Sequence, residues 1–197
     1  MIRPPQIPVL ADAKLIDAAL AKVQTSLIGS LSWLNHAFGK AQQLKETEKT
    51  NTYPYKKTVV FPSVYVGGID YRKAFPDAHL GNFSFFDVSD KVEIIRSSRH
   101  NTEFKSEVGF VLWFDYRKVY PADWEQRTIE NIKVEVLAAF RTMVLTESSI
   151  AITGTYERAT SIYKGYTDRE IKDQFLMRPY GGLRVDFTLK YSEKTSC

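Results

Sequence analysis

The residues of this 197-residue chain whose types could do chemistry are few and scattered. His36, His79 and His100 lie in different segments, and none has a second histidine three or four residues away, the spacing that turns two imidazoles toward one zinc ion. His79 follows Asp77 in a polar loop and reads as a solvated histidine. Gly67-Gly68 and Gly181-Gly182 fit neither G-x-G-x-x-G nor G-x-x-x-x-G-K-[ST], so they read as turns and not as phosphate cradles. There is no G-x-S-x-G elbow, and the sole cysteine, Cys197, leaves no pairing partner and no cysteine-based zinc site. Asp77, followed by a strand carrying Glu93, has the outline of a metal-dependent nuclease core, in which an acidic residue precedes an acid-x-Lys triplet. Here the triplet is Glu93-Ile94-Ile95, and the lysine is missing. The expectation is a non-catalytic protein with no cofactor and no metal; a divergent nuclease using Asp77 and Glu93 is the alternative.

Aromatic side chains are the next candidates, with 12 Phe, 11 Tyr and 3 Trp available for stacking on bases or for contact with protein. Most sit in alternating, strand-like runs, where they build a core. Tyr53, Tyr55, Tyr65, Tyr71, Tyr163 and Tyr166 lie instead in irregular stretches, with no basic cluster beside them apart from Lys56-Lys57. Tyrosine in such places favours protein interfaces, because it buries area while keeping a polar tip. The charge balance agrees: 27 Lys+Arg against 23 Asp+Glu gives only +4, with no basic block for nucleic acid.

The elements that must carry these residues follow from periodicity. A chain that is 44% hydrophobic can bury one substantial core, so one domain is expected over 1–197, with an extended Pro-rich arm at 1–11. Asp12 is placed to cap a helix whose stripe is Leu15, Ile16, Ala19, Leu20, Val23, Leu27 and Leu31. Residues 42–57 carry no apolar period and read as a loop or frayed helix end, and 69–82 as a second long loop with turns at Pro76-Asp77 and Gly81-Asn82. Between them, 58–68 is rich in β-branched and aromatic residues but interrupted by Pro62, which suggests an edge strand or an irregular segment. Residues 83–96 read as a strand, 97–105 as a polar loop, and 107–120 as a central strand apolar on both faces. Asp123 and Gln126 suggest a capping box for a long helix with stripe Ile129, Ile132, Val136, Phe140 and Val144. Residues 149–166 read as strand mixed with loop, and 167–177 as a short helix capped by Thr167 or Asp168. The fold class is α+β: a largely antiparallel sheet packed against the long amphipathic helix and the N-terminal helix.

The terminal stretch PYGGLRVDFTLKY alternates without a miss. Leu183, Val185, Phe187, Leu189 and Tyr191 form a dry face expected against the long helix, and Arg184, Asp186, Thr188 and Lys190 a polar one.

Four stretches carry a resemblance to a known family: ADAKLIDAALAKVQ, PDAHLGNFSFFDV, WEQRTIENIKVEVLAAF and SIYKGYTDREIKDQFLMRPYGGLRVDFTLKY. Their order and texture resemble the tail-terminator and neck ring proteins of tailed bacteriophages, crAss-like phage ring proteins among them. The resemblance implies a homo-oligomeric ring, commonly six- or twelve-fold, set between portal or adaptor and tail in the virion, with DNA passing its lumen without sequence recognition. It implies assembly in the host cytoplasm and no membrane, which fits the absence of a signal-peptide pattern and of a long apolar run. Head-to-tail ring subunits need two different contact patches. Arg184, Asp186, Thr188 and Lys190, with the six tyrosines, are expected at a subunit or lumen surface; a monomeric protein-binding module is the remaining alternative.

Overall fold

The computed structural model describes residues 7–49, 51, 53, 55–77, 79–167 and 173–194. Its centre is a five-stranded mixed sheet in the order β1-β5-β6-β8-β7, formed by β1 (His36–Lys40), β5 (Phe83–Ser97), β6 (Asn101–Asp115), β8 (Tyr180–Lys194) and β7 (Ser148–Tyr156). Only β1 and β5 run parallel; the other pairs are antiparallel. A second, antiparallel sheet holds β2 (Gln42–Lys49), β3 (Lys56–Gly67) and β4 (Asp70–Lys73) in that order.

The alternation in β8 divides the protein into two packed layers. Leu183, Val185, Phe187, Leu189 and Tyr191 share one core with Phe86, Val108, Phe110, Leu112 and Phe114, covered by α1 (Leu15–Ser30) and α3 (Ile129–Thr142). The expected helix contact is present: the Phe140 ring lies 5.3 Å from Phe110 and 5.4 Å from Phe187. Each large apolar side chain fully buried here contributes about 1.5–3 kcal/mol. The opposite face sets Phe83, Phe85, Val111 and Trp113 against Phe38, Val64, Leu80 and Ile162. Both faces of β6 are therefore buried from Val108 to Asp115, the apolar half of its sequence.

Several boundaries differ from expectation. α1 starts at Leu15 with Lys14 in the cap position and no side-chain cap, so Asp12 does not cap it. Residues 42–49 are a strand, not a loop: QQLKETEK is exposed along its whole length, so it has no buried face to impose a period. The 69–82 connection contains β4, and 97–105 is mostly strand closed by a tight turn whose Ser98 and Asn101 hydrogen-bond each other. β3 is the centre of the small sheet and not an edge; Pro62 falls just beyond the last β4 rung, Ser63 opposite Lys73. Trp124–Gln126 is a separate 3₁₀ turn, and α3 is capped by Thr128, whose backbone N–H donates to Asn131 Oδ1 at 2.9 Å. β6 ends at Asp115, where the chain turns into α2 (Tyr116–Val119). Of the helix expected at 167–177, Asp173–Leu176 is a 3₁₀ turn, and Asp168 lies outside the described residues.

The Gly81-Asn82 turn proves central. Asn82 is fully buried, and its side chain accepts from Asp115 N at 2.8 Å and donates to Trp33 O at 2.9 Å. Its backbone N–H donates to Asn35 Oδ1, and its carbonyl accepts from Asn35 and His36. One buried amide thus ties the end of β6 to the segment between α1 and β1, with no polar group left over.

Candidate functional site

The polar face of β8 forms an ionic cluster with groups from two neighbouring strands. Asp87 on β5, Gly109 on β6 and Asp186 on β8 lie side by side in one cross-strand row. The Arg184 guanidinium reaches over the bare backbone of Gly109 to Asp87 Oδ2 at 2.9 Å and Asp186 Oδ1 at 2.6 Å. Tyr166 donates to the other Asp87 oxygen at 3.1 Å. Burial works against the Arg184 charge, but its hydrogen bonds to Asp186 and Asp87 outweigh that and hold its pKa above the ordinary value. For Tyr166, burial first and Asp87 second push the phenol up. The cluster floors a cleft of about 690 Å³ whose rim includes Lys40, Gln43, Asp90 and Lys164.

This arrangement is an ionic clasp that joins β5 to β8 across β6. Both Asp87 oxygens are engaged, by Arg184 and Tyr166, and Glu107 on the same face accepts from Thr188 at 3.0 Å. Among the described residues, no group of three or more His, Cys, Asp or Glu is placed to hold a metal ion. Asp77 and Glu93 have separate partners: Asp77 faces Arg72 at 3.7 Å and accepts from the His79 backbone, while Glu93 pairs with Lys105 at 3.3 Å in another element.

The expected surface residues separate into two groups. Arg184 is 7% exposed and Thr188 is also buried, so their strand face is not an open contact surface; the charge alternation reflects partners on β5 and β6. Asp186 is half-buried beside them, and Lys190 is exposed, with Lys105 and Ser149 as its cross-strand neighbours. Tyr163, 1% exposed, and Tyr166 are buried as well, because α4 (Ala159–Ile162) turns them under the sheet against Phe85. Tyr53 is 87% exposed; Tyr55 and Tyr71 are exposed too, and Tyr65 is half-buried against Tyr71. No family model matches the sequence, and no curated protein matches it.

Two exposed apolar features had no signal of their own in the sequence. The β3–β4 turn holds Gly67, Gly68 and Ile69 all at positive φ, and Ile69 is 90% exposed. A β-branched side chain in that backbone region is strained, yet here it is also held out to water. The other feature is the outer half of the β5–β6 hairpin. Residues 89–100 are exposed throughout, including Val92, Ile94 and Ile95. Among the described residues, no helix is long and apolar enough to cross a membrane, so these apolar groups do not belong to such a helix.

Proposed function

We propose that the chain is a non-catalytic structural subunit of the head-to-tail connection of a tailed bacteriophage, a tail-terminator or neck-ring protein. Such a subunit would assemble side by side into a ring, dock one surface on portal or adaptor and the other on the tail, and leave the lumen free for DNA. The observation that carries the reading is the pairing of a closed, internally neutralised core with separate apolar projections. The 89–100 arm and the Ile69 tip, with Tyr53, Tyr55 and Tyr71 exposed around the small sheet, are the kind of unlike patches that a head-to-tail contact needs. The separate partners of Asp77 and Glu93 speak against the nuclease.

Electron microscopy of the purified full chain tests the reading. Closed rings of uniform diameter are expected. Magnesium-dependent cleavage of plasmid DNA that is lost in Asp77→Ala would replace the structural reading with the enzymatic one.

A further inference from the structure

The five-stranded sheet ends in two open edges that match each other. On one side β1 pairs only with Phe83, Ser84 and Phe86, so the backbone of β5 over 89–97 has no strand beyond it among the described residues. On the other side lies β7, nine residues reading SSIAITGTY, without a charged residue and without proline. Exposed edges are usually blunted by lysine, by proline or by a bulge; β7 has only the irregularity at Ile152/Gly154.

The direction, level and face of the two edges agree. Three antiparallel steps separate β5 from β7, so the two strands run in opposite directions. A copy laid alongside the first in the same orientation therefore meets it as an antiparallel pair. Straight rows cross the sheet from edge to edge: Ile94, Phe104, Tyr191, Ser148 in one, and Val92, Ser106, Leu189, Ile150 in the next. Directly paired residues share a face, so Val92 and Ile94 at one edge stand on the same, helix-covered side as Ile150 and Ile152 at the other. Beside β7, Phe140, Met143, Val144, Leu145, Ile150 and Ile152, together with Arg141, Ser148 and Ser149, line a groove of about 550 Å³.

We infer that the occupant of the β7 edge is a second copy of this chain, whose 89–97 arm adds to β7 as an antiparallel strand, with Val92 beside Ile150 and Ile94 beside Ser148. Main-chain hydrogen bonds supply the contact and the apolar rungs fix its register. The contact is heterologous: repeated with a constant rotation that closes, it makes a ring, and without closure an open filament. This inference rests on the ring reading and names the surfaces that join its subunits.

The test starts from Cys197→Ser, which removes the native thiol. Ile94→Cys and Ser148→Cys are made separately, as are Val92→Cys and Ile150→Cys, because opposed antiparallel residues lie within disulfide reach. Under mild oxidation each mixed pair should give a crosslinked dimer that neither variant gives alone. Ile94→Lys, at an exposed site, should keep the native circular dichroism and raise the concentration needed for assembly at least about tenfold. Rings that persist in Ile94→Lys with no crosslink in either mixture would overturn the edge pairing and leave the ring reading standing. Wild-type protein that never assembles would overturn both.

Discussion

Arg184 lies across Gly109: a Cβ at residue 109 would stand 2.2 Å from Arg184 Nη2. Glycine is needed there for close approach and not for backbone freedom, since any side chain would push the guanidinium off Asp87 and Asp186. Breaking a buried ion pair from one side costs about 3–5 kcal/mol, because the remaining charges stay buried. Gly109→Ala and Arg184→Ala are each expected to lower the urea midpoint by an amount worth about 3 kcal/mol. Arg184→Met combined with Asp87→Asn and Asp186→Asn, which removes all three charges together, should recover part of that loss.

Asn82 predicts a graded response. Asn82→Ala leaves Asp115 N and Trp33 O without the partners they have now, at about 1–3 kcal/mol for each buried unsatisfied group. Asn82→Asp keeps the acceptor for Asp115 N but sets a buried carboxylate against Trp33 O, a larger penalty than a lost hydrogen bond, so at neutral pH it should melt below Asn82→Ala. Thermal unfolding of the three proteins at one neutral pH checks the order.

The buried phenols set the alkaline limit. Burial raises the pKa of Tyr163, and burial together with Asp87 raises that of Tyr166. A folded pKa above the unfolded value of about 10 means that the neutral phenols stabilise the fold fully below pH ~10, and that this stability is lost as pH rises further. Unfolding free energy should therefore fall steeply above pH ~10, and Tyr166→Phe should flatten the fall. Stability of Tyr166→Phe tracking wild type through this range would contradict the assignment.

Legibility in the sequence followed burial. The β8 alternation, the α3 stripe from Ile129 to Phe140 and the two buried faces of the Val108–Asp115 half of β6 were readable because each has a face against a core, which forces period 2 or period 3.6 on the residue types; Val144, expected on the same stripe, lies past the end of α3 and is 88% exposed. QQLKETEK was not, since a strand exposed on both faces has no period to show. Arg184 looked like a surface charge because its partner Asp87 is 97 residues away, and the one local hint was a glycine inside the hydrophobic run EVGFVLWF. Tyr163 and Tyr166 looked like loop tyrosines for the same reason: the strand they pack beneath, at Phe85, is about as distant in sequence. The open edge of β5 was hidden because SDKVEIIRS has the charges of a solvated strand; only the shortness of β1 leaves it unpaired.

Native mass spectrometry of the full chain over a range of concentrations tests ring assembly most directly. A single discrete species, a six- or twelve-fold multiple of the 22.6 kDa chain, is the predicted result. A lone 22.6 kDa species at every concentration would contradict it.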